Sequence, residues 1–205
     1  MAALIPRHAE IERFLPEDLA EAILAHATAH EADFVPSEVV RAGHQAADAM
    51  DRQSLRLPAG LGPHATAFRE AVLARLGDLC TASGLAPFEA ADCELELAAH
   101  GDGAFYRPHV DTRTDAAARE EGLVRTLTLV WYAHRRPAGF TGGELAIYPF
   151  GGSEQPCTAI PPRHNLLVAF ASIVPHSVEP VACPSGRFAD YRFAVNCWVR
   201  RRRGG

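Results

Sequence analysis

The stretch CELELAAHGDGAFYRPHVD, residues 93–111, is where the chain changes from helix-type to strand-type patterning. Cys93, Leu95 and Leu97 alternate with Glu94 and Glu96, and a period of two is typical of a half-buried β-strand. Many short strands in succession indicate a barrel or jelly roll. Further β-type runs, separated by turns rich in Gly and Pro, are TLTLVWY (126–132), ELAIYPF (144–150), NLLVAFASIV (165–174) and RFAVNCWV (192–199).

The residues upstream carry helical spacing. Segment 16–34 begins with Pro and two acidic residues and then repeats Leu19, Ile23 and Ala27 at intervals of four. Segment 63–80 has a similar repeat, and DRQSLRL (51–57) between the two predicts a short strand. Because helices precede the strands without βα alternation, we expect a mainly β fold with N-terminal helices (α+β). The expected organisation is one domain, residues 1–205, with a helical support (1–88) and a β core (89–199).

Composition excludes several classes of function. The net charge of -5 and the pI near 6.0 provide no basic field for nucleic acid, so no nucleic-acid partner is expected. The five cysteines are odd in number and include no Cys-x-x-Cys pair, which favours reduced thiols over a disulfide framework or a zinc site. The chain has no secretory leader pattern and no run of about 18 apolar residues. We therefore expect a cytoplasmic protein without a membrane partner.

His109 and Asp111 form an H-x-D pair at the end of the opening stretch. Two residues apart on a strand, an imidazole and a carboxylate project from the same face and can supply two metal ligands. His176, on a later predicted strand, completes a two-His, one-carboxylate set, which leaves half an octahedron open. An H-x-D pair also occurs by chance, and a single His is more often structural.

Arg192 lies at the start of the last predicted strand, six residues before Trp198. Its planar guanidinium can hold a carboxylate through two parallel hydrogen bonds. The alternative is an ordinary surface arginine.

The chain from about Cys93 to Val199 resembles the prolyl 4-hydroxylase-like branch of the 2-oxoglutarate/Fe(II)-dependent dioxygenase superfamily. The blocks that carry the resemblance occur in the family's order. They are GDGAFYRPHVD (101–111), RTLTLVWYAH (125–134), TGGELAIYP (141–149), HSVEPV (176–181) and RFAVNCW (192–198).

This resemblance implies a double-stranded β-helix (jelly-roll, cupin-like) core and three co-substrates or cofactors: Fe(II), 2-oxoglutarate and O2. His109, Asp111 and His176 would bind the iron, while Arg192 and Tyr132 would bind the 5-carboxylate of 2-oxoglutarate. Succinate and CO2 would be released, and ascorbate is a candidate reductant. By the same resemblance Tyr106 would line the pocket near the co-substrate or the substrate.

Three features depart from the family's pattern. The family's Tyr-Leu-Asn is Tyr132-Ala133-His134 here, and a tyrosine commonly found near His100 is absent. An insertion, ACPSGRFADY (182–191), offers Arg187 as a competitor for the carboxylate. Arg192 is preferred over Arg187 as the carboxylate-binding residue because its spacing to Trp198 fits the family strand and because the inserted sequence is typical of a turn.

The sequence says less about the reaction and the substrate than about the metal and the co-substrate. The resemblance implies hydroxylation of an unactivated C–H bond of an amino-acid side chain, peptidyl or free, and Asp111 favours hydroxylation over halogenation. Alternatives are an oxygenase that tailors a small natural product, an AlkB-like demethylase, a zinc hydrolase and a non-catalytic β-sandwich binding protein. The polar loop 112–122 is either a solvated loop or a source of substrate contacts, the candidates being Arg113, Asp115, Arg119 and Glu120.

Overall fold

The computed structural model describes residues 4–37, 39–41, 44–46, 51–113 and 119–204. The first helix ends at Ala29, earlier than the predicted 34, because His30 leaves helical geometry and a single 3-10 turn follows. The second predicted helix is two helices, since the chain breaks at Arg75 and its guanidinium lies 5.1 Å from the Phe14 ring centroid. The helices are α1 (Glu17–Ala29), α2 (Ala65–Leu73) and α3 (Leu76–Ala82).

Strands dominate the remainder of the described chain. Five of them overlap the β-type runs predicted at 93–97, 126–132, 144–150, 165–174 and 192–199, whereas the short strands at 141–142, 158–160 and 181–182 were not predicted. In chain order the strands are β1 (His8–Ile11), β2 (Val35–Pro36), β3 (Val39–Arg41), β4 (His44–Ala46), β5 (Arg52–Gln53), β6 (Leu55–Leu57), β7 (Asp92–His100), β8 (Phe105–His109), β9 (Leu123–Ala133), β10 (Thr141–Gly142), β11 (Leu145–Ile147), β12 (Thr158–Ile160), β13 (Leu167–Ala171), β14 (His176–Val178), β15 (Val181–Ala182) and β16 (Arg192–Arg202).

Two antiparallel sheets form the body of the fold. The larger has the order β1-β13-β9-β16-β7-β6-β2, and the smaller has the order β12-β11-β14-β8-β5. Short pairs, β10 with β15 and β3 with β4, extend the described structure at its edges. The expectation of a mainly β fold with N-terminal helices is confirmed.

The N-terminal part supplies strands to both sheets as well as helices. The run 51–57, predicted as one strand, is divided at Ser54: β5 pairs with β8 in the smaller sheet and β6 with β7 in the larger. The Ser54 hydroxyl accepts a hydrogen bond of 2.7 Å from Arg52 Nε, so the break also directs a buried arginine toward the space between the sheets.

Strand β9 is buried on both faces, which explains its nearly continuous apolar sequence. Leu127, Leu129 and Trp131 pack with the helices on the outer face of the larger sheet. Val130 and Tyr132 alternate with them and belong to the core between the sheets. The even-numbered residues of β9 therefore face the space between the sheets. The even-numbered residues of the paired strand β16 face the same way: Arg192, Ala194, Asn196 and Trp198.

In the described part of the chain, none of the helices has the length and apolar character that a membrane crossing requires.

Candidate active site

Three potential metal ligands meet at one end of the smaller sheet. His109 ends β8 and His176 begins β14, and the two residues are register partners across the strands. Asp111 follows immediately, held by its backbone N–H, which donates to the Ser172 carbonyl at 2.9 Å. Its carboxylate oxygens lie 3.7 Å from His109 Nε2 and 3.5 Å from His176 Nε2. One ligand atom from each residue lies within 4.8 Å of the others, so one ion could contact all three.

The tautomer of each imidazole suits a metal. His109 Nδ1 lies 2.8 Å from the Arg107 carbonyl, and His176 Nδ1 lies 2.9 Å from the Val174 carbonyl. A carbonyl oxygen only accepts hydrogen bonds, so each Nδ1 carries the proton. Both Nε2 lone pairs are then left for an ion, the arrangement that orients ligating histidines in metalloproteins.

The protonation states at neutral pH also favour a divalent cation. Burial and the neighbouring His176 lower the pKa of His109 to about 3, so its imidazole is neutral. Burial acts to raise the pKa of Asp111, but its neighbours, above all His176, outweigh burial, and the pKa lies below its usual value. Thr128 stabilises this carboxylate by donating its hydroxyl to Oδ2 at 2.9 Å. Ligands that have already lost their protons bind a metal without releasing any.

Arg192 lines the same cavity and Tyr132 lies against it, and both side chains have incomplete hydrogen bonding. The Arg192 guanidinium is 1% exposed and lies 4.8 Å from the Tyr132 ring centroid. Its Nε and Nη2 and the Tyr132 hydroxyl are buried without a partner among the described residues. Burial raises the pKa of Tyr132 to about 12, so the hydroxyl is protonated and can donate. Because orphaned buried donors are costly, three of them together fit a carboxylate that arrives with a ligand.

Gly143 makes room for this arginine. It has a φ of +72°, and a Cβ built there would lie 2.8 Å from Arg192 Cδ and 3.2 Å from its Nε. The Gly-Gly turn is thus required both for its left-handed backbone and for the approach of the guanidinium.

Aromatic side chains flank the metal-ligand set. Tyr106 stacks on His109, with 3.6 Å between ring centroids and an interplanar angle of 20°. Trp198 lines the cavity with its indole N–H buried and unpartnered in the described structure, and Arg125 covers its ring at 3.9 Å. Tyr106 therefore lines the cavity beside the ligand set.

Sequence reasoning missed several cavity residues. Arg52 lines the cavity and donates to Glu96 at 2.6 Å, and Asn196 donates to the same carboxylate oxygen at 3.1 Å. Glu96 on β7 and Asn196 on β16 occupy alternate positions that face the interior, so the period of two could have identified them as inward-facing residues. Arg52 had no such signal, because its direction depends on the break at Ser54.

The candidate substrate residues of the polar loop are less well placed. Arg113 donates to Glu121 at 3.3 Å, Arg119 and Glu120 are exposed, and these residues do not line the described cavity. Asp115 lies outside the described residues.

The two competing arginines have different surroundings. The Arg187 side chain is 67% exposed and forms an ion pair of 2.9 Å with Asp190, outside the cavity. Arg192 lines the cavity, so the geometry favours it for the carboxylate.

The chain is similar in sequence to one protein family and to a relative from Synechocystis. Residues 95–200 match the family described as the 2OG-Fe(II) oxygenase superfamily. The chain is 31% identical over 201 residues to an uncharacterized PKHD-type hydroxylase of Synechocystis, covering 95% of this chain and 63% of that protein. The chain thus spans less than two thirds of this relative's length.

Solved structures confirm the jelly-roll fold class. A Pseudomonas putida prolyl-4-hydroxylase matches with a TM-score of 0.66 and 23% identity, covering 98% of this chain and 94% of that one. A Trichoplax adhaerens prolyl hydroxylase, in complex with a hypoxia inducible factor peptide fragment, matches with a TM-score of 0.65 and 19% identity, covering 95% and 83%. At these identities the likeness concerns the fold.

Proposed function

The chain belongs to the 2OG-Fe(II) oxygenase superfamily, and we propose that it is an Fe(II)- and 2-oxoglutarate-dependent dioxygenase that hydroxylates an unactivated C–H bond, releasing succinate and CO2. One observation carries the proposal. A two-His, one-carboxylate set suited to a metal lines one cavity together with Arg192. Arg192 and the adjacent Tyr132 carry buried donors, unpartnered among the described residues, that suit a dicarboxylic acid.

His109, Asp111 and His176 would hold the iron on one side and leave the opposite positions for exogenous ligands. When bound, Fe(II) with 2-oxoglutarate and O2 supplies the oxidising power that C–H hydroxylation needs, and 2-oxoglutarate is the two-electron reductant that becomes succinate. Thr128 keeps Asp111 oriented and ionised through its hydrogen bond.

Arg192 and Tyr132 would fix the distal carboxylate of 2-oxoglutarate. The charge of the guanidinium and three unpartnered donors match a carboxylate in sign and in hydrogen-bonding capacity. Holding this end orients the 2-oxo acid end toward the metal ligands.

Apolar walls would limit water around the site. Val130, Leu145 and Val178 line the cavity, and the Phe170 ring lies 4.7 Å from that of His176. A water-poor site strengthens the ionic contact to Arg192 and protects reactive species from side reactions.

The substrate we propose is an amino-acid side chain, within a peptide or free, with ascorbate as a reductant that restores Fe(II). Support comes from the relatives: the Trichoplax structure is a prolyl hydroxylase bound to a peptide, and the Synechocystis relative is named a hydroxylase. Tyr106 and Trp198 would contact the substrate because they flank the ligand set.

The test is O2-dependent succinate formation. Protein purified without oxygen is given Fe(II) and 2-oxoglutarate, and the reaction is started with air, because uncoupled turnover does not require the substrate to be known. Wild type should form succinate and His109→Ala should not, whereas His8→Ala, a histidine of the edge strand β1, should behave as wild type. Equal succinate from wild type and His109→Ala would refute the assignment.

The substrate class has its own test. Active protein is incubated with peptides and free amino acids, and the products are analysed by mass spectrometry for addition of one oxygen atom. A 2-oxoglutarate-dependent product among these is expected; oxidation restricted to small molecules without an amino-acid side chain would contradict the proposed class.

A further inference from the structure

His100 is a buried residue of the cavity to which the proposed mechanism assigns no role. It ends β7, is 3% exposed, and lines the same cavity as the metal-ligand set. Its register partner across the sheet is Arg192, the first residue of β16. The two side chains therefore lie next to each other as a consequence of strand pairing.

The contact between these residues has a defined direction. Arg192 Nη1 lies 3.2 Å from His100 Nδ1, and a guanidinium can only donate hydrogen bonds. Nδ1 must therefore be the acceptor, and the imidazole is neutral with its proton on Nε2. Burial and the adjacent Arg192 agree with this, because they hold the pKa of His100 well below its ordinary value.

The hydrogen bond to His100 decides which edge of the guanidinium is free. Nη1 is engaged by the imidazole, whereas Nε and Nη2 are buried without a partner among the described residues. Nε and Nη2 form one edge of the fork, and this edge can bind both oxygens of a carboxylate in parallel. Tyr132, whose ring centroid lies 4.8 Å from the guanidinium carbon, adds a further buried donor without a partner among the described residues.

We propose that His100 is a positioning residue that acts through Arg192, holding the guanidinium by Nη1 so that its Nε–Nη2 edge receives the distal carboxylate of 2-oxoglutarate. This inference rests on the proposed function. It assigns to His100 the selection of dicarboxylic over monocarboxylic 2-oxo acids, because only a ligand with a distal carboxylate reaches the edge that His100 presents.

Two substitutions separate this role from simple packing. His100→Asn places an amide oxygen at the same distance from Cβ as Nδ1 and can still accept from Arg192. His100→Leu fills similar space without an acceptor. Both variants are titrated without oxygen in the presence of Fe(II), and binding is followed by the visible absorption of Fe(II) chelated by a 2-oxo acid. The probes are 2-oxoglutarate and 2-oxobutanoate, which lacks the distal carboxylate.

For 2-oxoglutarate, we expect a Kd raised about tenfold or more in His100→Leu, the loss that one hydrogen bond to a charged group produces, and raised no more than about threefold in His100→Asn. For 2-oxobutanoate, the Kd should be the same in wild type and both variants. Wild-type affinity for 2-oxoglutarate in His100→Leu, or equal weakening for both acids, would overturn the role of His100. Failure of wild type to bind either acid with Fe(II) would instead refute the proposed function.

Discussion

Replacement of Arg192 by Met tests whether its orphaned donors bind the co-substrate. Met matches the aliphatic part of the arginine side chain but ends at the level of Nε, and it carries neither the charge nor the Nε–Nη2 edge. Two charge-assisted hydrogen bonds are lost, each contributing about 1.5–3 kcal/mol, so the Kd for 2-oxoglutarate should rise at least 100-fold. Arg192→Lys keeps the charge but not the fork, and a rise of about 10- to 100-fold is expected.

The same substitution should lower the stability of the ligand-free protein little, because the cost of burying the cation disappears and only its described hydrogen bond, the one to His100 Nδ1, is lost. Arg192 is a buried cation whose Nε and Nη2 have no partner among the described residues, and replacing such a group by an apolar one is often neutral or stabilising. A structural arginine would show the opposite result, a lower melting temperature in the absence of ligand. Loss of function without loss of stability is therefore the signature of a binding residue.

Thermal unfolding measures both effects together, with Mn(II) in place of Fe(II) to prevent turnover. A ligand at 100 times its Kd stabilises wild type by about 2.7 kcal/mol, which corresponds to roughly 5–10 °C in a chain of this size. Arg192→Met, with its Kd raised at least 100-fold, should retain at most about 0.4 kcal/mol at the same concentration, a shift of no more than about 1–2 °C. Arg187→Met is the control, since that side chain is exposed and paired with Asp190, and it should retain the full shift. A 2-oxoglutarate shift of wild-type size in Arg192→Met would refute the assignment.

Three further outcomes are expected. Thr128→Val removes the hydroxyl that donates to Asp111 at 2.9 Å, and metal affinity in an equilibrium titration should fall about 10- to 100-fold with little change in fold; unchanged affinity would contradict the role of Thr128. Asn165→Ala removes the acceptor of the Trp131 indole N–H and of a backbone N–H, so the free energy of unfolding in urea should fall by about 2–4 kcal/mol. A loss below about 1 kcal/mol would show that these hydrogen bonds do not stabilise the fold. Burial and Arg192 lower the pKa of His100, so below about pH 6.5 the imidazole takes up a proton in the unfolded chain but not in the folded one. The free energy of unfolding should therefore fall as the pH falls, with a contribution from His100 of up to about 1.4 kcal/mol per pH unit that His100→Asn lacks. Equal slopes of this free energy against pH in wild type and His100→Asn would refute the prediction.

The inward-facing residues of the long strands could be predicted because a strand has a fixed period of two. The parity of β16 separates Arg192 and Trp198 from the outward residues between them. Asp111 is expected on one strand with His109, but β8 ends at His109 and Asp111 is held by the hydrogen bond from its backbone N–H to the Ser172 carbonyl. The register of β8 with β14, which joins His176 to this pair, depends on strand pairing that a single sequence does not reveal. His176 is named as the third ligand because it completes a two-His, one-carboxylate set, and the resemblance to a known family supports that choice.

Other parts of the site depend on tertiary contacts. Arg52 enters the cavity because the chain breaks at Ser54, although the period of the run 51–57 indicated one continuous strand. The helical repeat of 63–80 likewise continued through Arg75, where the helix breaks and the guanidinium packs on Phe14. In both places an arginine takes a partner that is distant in sequence, and such partners override local periodicity.

The measurement that tests the central claim most directly is the isotopic composition of succinate formed under ¹⁸O2. Wild type with Fe(II) and 2-oxoglutarate should release succinate that carries one labelled oxygen atom, and His109→Ala should release none. Succinate without the label, or none from wild type after Fe(II) and 2-oxoglutarate have bound, would contradict the assignment of this site as an oxygenase centre.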